Sequence, residues 1–194
     1  MPKLPSNIKL FEVNNAELEK ISTLQAPQGI LALINTPETK AFDKNTLKKS
    51  FSLVLDGVQD PGNLGTIIRT ADWFGIKNVI CSPNTVEVYN PKTVQATMGS
   101  LCRVNVTYQD LSLLLKDINM PIFGAMLDGN SLYETKWGTE GLVVLGNEGQ
   151  GVSQEIINLI DRPVTIPRVG LAESLNVAVS AAIFCADISR NLNK

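Results

Sequence analysis

The sequence predicts an α/β protein, a parallel β-sheet covered by helices on both faces. From residue 51 onward, short apolar runs alternate with segments of helical period. Those apolar runs are continuous rather than interleaved with polar residues, as expected of strands buried on both faces. The totals agree: 194 residues, 44% hydrophobic and 19% charged, suit one packed domain with a small appendage and not a disordered polyelectrolyte.

Residues 1–48 read differently from the rest and are set apart from a main domain at 49–194. A short helix is expected around Ala16–Ile21, and Gly29–Ile34 reads as a buried strand. Asn35 to Ser50, with Pro37 and scattered lysines and acids, reads as a solvated link. Strands are then expected at Phe51–Leu55, Asn78–Cys81, Cys102–Val106, Pro121–Ala125, Leu142–Gly146 and Pro163–Pro167. Helices are expected near Leu64–Phe74, Pro91–Met98, Leu111–Ile118, Val152–Leu159 and Leu175–Arg190. The last of these has two apolar stripes, Val177, Ala181, Phe184 and Ile188, and Val179, Ala182, Ile183 and Ala186. A helix apolar on two sides is buried between layers or at an oligomer interface. Glu173, Ser174 and Asn176 at its start conflict with that buried body and mark a site; Ser174 is the expected N-cap.

Composition removes several chemistries. There is no histidine, so Ser-His-Asp and Cys-His nucleophile systems and histidine-containing zinc sites are excluded. Cys81, Cys102 and Cys185 are far apart and odd in number, which argues against a disulfide framework and for a reduced, cytoplasmic protein without a metal site. No apolar run approaches the roughly 20 residues of a membrane span, and the N-terminus lacks a signal-peptide core. A net charge of −2 advertises no global field for nucleic acid, although a local patch can coexist with it.

Ligands of open parallel sheets bind beyond the carboxyl ends of the strands, so the loops there carry the functional signal. After the first strand comes Asp56 to Ala71, where Pro61-Gly62 makes a turn and Asn63 is placed to cap the next helix. Leu64, Ile67, Ile68, Ala71 and Phe74 share one face of that helix and Arg69 lies opposite. Arg69 is either a surface arginine or a cleft cation suited to a phosphate or ribose. The loop lacks a P-loop ending, so a nucleotide triphosphatase is not indicated. The second loop, Gly146-Asn-Glu-Gly-Gln-Gly151, spaces its glycines unlike a dinucleotide fingerprint, and its Glu148 is expected to cap, pair or bind. The third cluster is Arg168, Glu173, Ser174 and Asn176.

Taken in order, Asn63-Leu-Gly-Thr-Ile-Ile-Arg69, Gly146-Asn-Glu-Gly-Gln-Gly151, and Ile166-Pro with Glu173-Ser-Leu-Asn-Val177 resemble the three motifs of the SpoU (TrmH-like) RNA 2'-O-ribose methyltransferases of the SPOUT superfamily, over about residues 50–190. The resemblance implies a C-terminal trefoil knot, a homodimer, an RNA substrate (rRNA before tRNA) and S-adenosylmethionine as cofactor. It places the methyl donor on backbone around Leu145, Gly146, Ile166 and Leu175, with Thr97, Met98 and Gly99 nearby. It makes Arg69 the key residue, with Asn63, Glu148, Ser174 and Asn176 ordering the loops and the ribose. It also reads residues 1–48 as a remnant of a small substrate-binding domain plus linker. Arg168 departs from the pattern, which usually has an apolar residue there, often methionine. Two alternatives remain: an RNA-binding protein of this fold without the reaction, and a base methyltransferase of the same superfamily, against which the Glu-Ser-Leu-Asn motif speaks.

Overall fold

A computed structural model of the chain describes residues 8–24, 26–37 and 42–192. The chain divides into two units, Met1–Thr39 and Lys40–Lys194. In the first, helix α1 (Asn15–Ile21) starts at a capping box in which Asn14 and Glu17 bond each other's backbone N–H. Gly29–Ile34 is not the buried strand its composition suggests: it has no regular structure, and Ile30, Leu33 and Ile34 are exposed. A strand needs a hydrogen-bonded neighbour, and the described residues of this unit contain none.

The second unit holds a six-stranded, all-parallel sheet in the order β3-β2-β1-β5-β4-β6. Its strands are β1 (Phe51–Asp56), β2 (Asn78–Cys81), β3 (Asn105–Tyr108), β4 (Ile122–Ser131), β5 (Gly141–Gly146) and β6 (Arg162–Thr165). The helices are α2 (Pro61–Trp73), α3 (Pro91–Thr97), α4 (Leu111–Lys116), α5 (Gln154–Ile157) and α6 (Val177–Leu192). In this unit the expected strands and helices are all present, with shifted bounds. Ser100–Cys102 is a 3-10 turn, so β3 begins later than expected. Strand β4 runs on to Ser131 after extruding the residues between Ala125 and Asn130. The link expected from Asn35 to Ser50, whose residues 38–41 lie outside the described ones, ends in a 3-10 turn at Lys44–Leu47. There Leu47 is fully buried and Phe42 packs against the same core, because apolar side chains in a polar stretch still find the core.

Alternation along the central strands divides the core between the two faces. Phe51, Leu53, Leu55, Val143 and Leu145 pack with α2 and α6, whereas Val54, Leu142 and Val144 pack with α4 and α5. On the first face, Trp137 stands 4.6 Å from Phe123 and 5.9 Å from Phe184, ring centre to ring centre, which ties α6 to the sheet. The Trp137 indole N–H donates to buried Asp187 at 2.8 Å, and Arg190 pairs with the same carboxylate at 2.7 Å. Helix α3 meets α2 at Gly65, where a Cβ would lie 2.5 Å from that of Ala96 and 2.6 Å from the Thr93 carbonyl. Only a glycine permits that approach.

Candidate active site at the carboxyl ends of the strands

Helix α2 is capped by Asp60, not by Asn63 as expected. The Asp60 carboxylate accepts the Asn63 amide at 2.7 Å, and Pro61 occupies the first helical position. Asn63 therefore sits in the first turn with its side chain free to reach outward. Helix α6 shows the converse. Asn176, not Ser174, is bonded to its start, accepting from the Ala178 amide at 2.8 Å and the Val179 amide at 3.3 Å. The helix thus opens at Val177 rather than Leu175.

These two corrections assemble the site. Asn176 Nδ2 donates to Asn63 Oδ1 at 2.9 Å, and Asn63 Nδ2 donates to Glu148 Oε1 at 2.9 Å. Glu148 also accepts the backbone amides of Gln59 at 3.3 Å and Asp60 at 3.4 Å, just ahead of α2. Amide orientation is assigned from hydrogen bonding, and here one end fixes it. Two helix N–H groups require the oxygen of Asn176 to face α6, so its NH2 faces Asn63 and the NH2 of Asn63 faces the carboxylate. Three polar side chains from three separate segments make one directed chain. Burial works to raise the Glu148 pKa, but the Asn63 amide and the backbone N–H groups outweigh it and hold the carboxyl below its ordinary value. The N-terminal end of α2 favours the same charge.

The other expected site residues are placed less tightly. Arg69 is exposed on the outer face of α2 with Thr66 and Trp73, and no hydrogen bond or ion pair engages it among the described residues. It follows Asn63 by six positions, about 9 Å along an ideal helix axis. Ser174 and Glu173 are exposed ahead of α6. Arg168, also exposed, donates to the Ala172 carbonyl at 3.3 Å. Thr97, Met98 and Gly99 end α3, with Thr97 buried and Met98 and Gly99 at φ 50° and 85°; no described hydrogen bond joins them to the 146–151 or 166–176 segments.

Leu145 and Gly146 end β5 beside β1, and Ile166 follows β6. A Cβ on Gly146 would lie 2.1 Å from the Gly151 carbonyl carbon, so the loop folds back directly over this residue. Between Pro167 and Asn176 the chain has no regular structure, and Val169 and Leu171 are almost fully exposed. None of the hydrogen bonds of the described residues uses a backbone N–H of 168–175. Exposed apolar side chains beside unengaged backbone are available to a bound ligand. Leu145, Gly146, Ile166 and Leu175 could hold such a ligand.

Sequence reasoning passed over Asp60, although an aspartate before Pro61 is a start signal in its own right. It also passed over Asn147, although this residue lies inside the Gly146–Gly151 motif, and the loop after β2, which carries no motif. Thiol chemistry at Cys81 and Cys185 is disfavoured, because burial pushes both thiols up to about 12. Among the described residues no cluster could hold a metal ion, and no helix is long and apolar enough to cross a membrane. A recess of about 410 Å³ lined by Asn119, Glu140, Asp161 and Arg162 lies at the opposite, amino ends of the strands.

Residues 50–186 match the SpoU rRNA Methylase family. The chain is 33% identical to a 23S rRNA guanosine 2'-O-methyltransferase, RlmP, of Bacillus subtilis, over 93% of this chain and 72% of that one. It is 29% identical to RlmB of Neisseria meningitidis, named for the same kind of reaction, over 95% and 77%. Among solved structures, an RNA 2'-O ribose methyltransferase superposes with a TM-score of 0.84 at 28% identity, over 94% of this chain and 72% of that one. The SpoU methyltransferase AviRb of Streptomyces viridochromogenes, solved with the cofactor AdoMet, superposes with a TM-score of 0.72 at 26% identity, over 80% and 67%.

Proposed function

Because the chain belongs to the SpoU rRNA methylase family, we propose that the Glu148–Asn63–Asn176 cluster orders the methyl-transfer site for a ribosomal RNA ribose. The chain is an S-adenosylmethionine-dependent RNA 2'-O-ribose methyltransferase. Ribosomal RNA as the substrate is supported by the names of RlmP and RlmB. The single observation that carries the residue roles is the directed hydrogen-bond chain from α6 through Asn63 to Glu148.

When bound, S-adenosylmethionine supplies a methyl group on a sulfonium whose departure leaves a neutral thioether. The backbone around Leu145, Gly146, Ile166 and Leu175 would hold it, with Thr97, Met98 and Gly99 contributing from the end of α3. Glu148 is committed to three hydrogen bonds, with its proton affinity lowered, which makes it a scaffold and a poor general base. Asn63 and Asn176 each keep one amide hydrogen outside the chain of bonds, so the cluster offers donors to the acceptor's oxygens. Arg69, a guanidinium without a hydrogen bond or ion pair among the described residues, would grip a substrate phosphate and orient the ribose, and Ser174 would contact the sugar. Guanidinium does not deprotonate in proteins, so the hydroxyl proton leaves to a phosphate oxygen or to water rather than to Arg69.

The same reading includes a homodimer and a knotted C-terminal crossing. The outer stripe of α6, with Val179 48% exposed and Ala186 exposed, and Trp73 at 83% on α2, support a second copy on this face. The path from β6 at the sheet edge back to α6 beside α2 supports the crossing. Residues 1–48 are read as part of a substrate-binding region with its link.

The deciding assay is transfer of labelled methyl from S-adenosylmethionine to rRNA and to tRNA, with mapping of ribose methylation. Label on rRNA ribose is expected; donor binding without transfer to either RNA would favour the non-catalytic alternative, and label on a base the other. Arg69→Lys tests the phosphate fork. A loss of at least roughly tenfold in kcat/KM is expected, and preserved turnover would sink bidentate positioning. Sedimentation should give a dimer, and a monomer at every concentration would remove that element.

A further inference from the structure

The loop after β2 belongs to none of the three motifs, yet it is bonded to the loop after β1, which in turn meets the 146–151 loop. Ser82 Oγ accepts the Gly57 amide at 2.8 Å and lies 3.0 Å from Thr85 Oγ1, which donates to the Leu55 carbonyl at 3.2 Å. Gln59 donates through its side-chain amide to the Asn84 carbonyl, and the Val86 amide donates to the Val58 carbonyl at 2.9 Å. The loops after β1 and β2 are thereby one body. Gly57, at φ 74°, is its hinge point: a Cβ there would come within 3.1 Å of Asn84 Nδ2.

Asn147, beside the Glu148 carboxylate that accepts the Gln59 and Asp60 amides, joins that body to the 146–151 loop. Its Nδ2 donates to the Gly57 carbonyl at 2.7 Å, while its Oδ1 accepts the Gly149 amide at 2.9 Å and the Gln150 amide at 3.1 Å. Its own N–H and carbonyl close the loop against Gly151, both at 2.9 Å. The carbonyl group of one residue and two loop amides thus fix the orientation of the side chain, leaving little freedom in which end donates. Glu148 follows immediately and Gly146 precedes, so any rotation of this loop moves both the scaffold carboxylate and the backbone proposed to hold the donor.

We infer that Asn147 is a positioning residue that closes the 146–151 loop before the methyl donor arrives, using the body formed by the loops after β1 and β2 as its anchor. It acts through Gly146 and Glu148 rather than on the reacting atoms. A closed loop binds its ligand without first losing conformational freedom, and an open one loses affinity by the fraction of time it is closed. The inference rests on the reading of Leu145 and Gly146 as donor-binding backbone.

The test is calorimetric binding of S-adenosylmethionine to the full chain and to Asn147→Ala and Asn147→Asp. Asn147→Asp keeps the oxygen facing Gly149 and Gln150 but turns a carboxylate oxygen toward the Gly57 carbonyl. Asn147→Ala loses both sides. Donor affinity is expected to fall at least about tenfold in each, with KM for S-adenosylmethionine rising in parallel and KM for RNA unchanged. The unfolding midpoint of the donor-free protein should stay close to that of the parent, while the rise in midpoint on adding donor shrinks. Affinity within twofold of the parent overturns the inference, as does a KM for RNA that rises equally, or a loss of affinity that only tracks a falling donor-free midpoint. If the parent chain itself binds no S-adenosylmethionine, the donor-site reading has failed first. If it binds and the variants bind as well, only the role of Asn147 has failed.

Discussion

At the amino ends of the strands, Glu140 accepts the Lys49 amide at 2.6 Å, Asp161 accepts the Ile122 amide at 2.9 Å, and Arg162 donates to the Lys136 carbonyl at 3.2 Å. Each of these side chains is spent on a piece of main chain. At the carboxyl ends of the same strands, polar side chains from separate segments bond one another: Asn176 to Asn63, and Asn63 to Glu148. Both ends are polar and both are open to solvent. Around Glu140, Asp161 and Arg162, though not at Lys44–Asp117 or Asn105–Asn78 on the same side, the difference is one of connectivity: a side chain bonded to backbone fixes a turn, whereas side chains bonded across loops make the geometry of each loop depend on the others. Perturbation at the carboxyl end should therefore spread to function, and perturbation at Glu140 or Asp161 should not.

The largest effect is expected at Gly146. Its missing Cβ would meet the main chain of Gly151 and Val152 at 2.1 and 2.2 Å, and backbone cannot step aside as a flexible side chain can. Gly146→Ala should abolish measurable S-adenosylmethionine binding and cost about 3 kcal/mol or more of stability. Calorimetry and urea unfolding would show both, and an Ala variant that binds the donor normally would break the picture of a loop folded tightly over this residue.

Asn176 separates connectivity from capping. Asn176→Ala removes both roles, and a lost cap alone costs about 1 kcal/mol. Asn176→Asp keeps oxygen acceptors for the Ala178 and Val179 amides but offers no donor to Asn63. It should keep near-parental stability while kcat/KM falls by roughly a hundredfold, about 2.7 kcal/mol of transition-state stabilisation. Activity that follows stability in both variants would mean that Asn176 is only a cap.

The sequence made the architecture legible because strands covered on both faces leave a continuous apolar signature, as Leu53-Val-Leu55 and Leu142-Val-Val-Leu145 do. It also marked Asn63, Glu148 and Asn176 as exceptional, through polar residues at the edges of apolar elements. What it misassigned was the capping, since Asp60 and Asn63 are both good caps by type, as are Ser174 and Asn176, and only the local backbone path decides between them. Gly29–Ile34 failed for the opposite reason: its pattern is that of a strand, but strand formation depends on a partner that composition does not report. The role of Asn147, inside the Gly146–Gly151 motif, was not legible because an asparagine among glycines reads as an ordinary turn residue and nothing marks Gly57 as its partner.

Charge gives a smaller test of the carboxyl end. The Glu148 carboxyl is held below its ordinary value in the folded chain, so the stability it adds is present above the unfolded carboxyl range, about 4.3. That stability is lost as pH falls through the folded value. In urea unfolding, the advantage of the parent over Glu148→Gln should be largest near neutrality and shrink on acidification below about pH 4. A difference independent of pH would show that the carboxylate charge contributes nothing to holding the loops.

The smallest effects belong to the amino end. Asp161→Asn and Glu140→Gln each keep a carbonyl oxygen for the amide now bonded, and the charge they remove lies at the far end of the strands from Asn63 and Glu148. Exchanging a charged acceptor for a neutral one at a partly exposed main-chain bond should change stability by about 1 kcal/mol or less. Affinity for S-adenosylmethionine and kcat/KM on RNA should not move, because neither side chain is bonded to another loop's side chain. A change of tenfold or more in either quantity would mean that the sheet transmits strain between its ends, and that the separation between a stabilising end and a functional end does not hold in this protein.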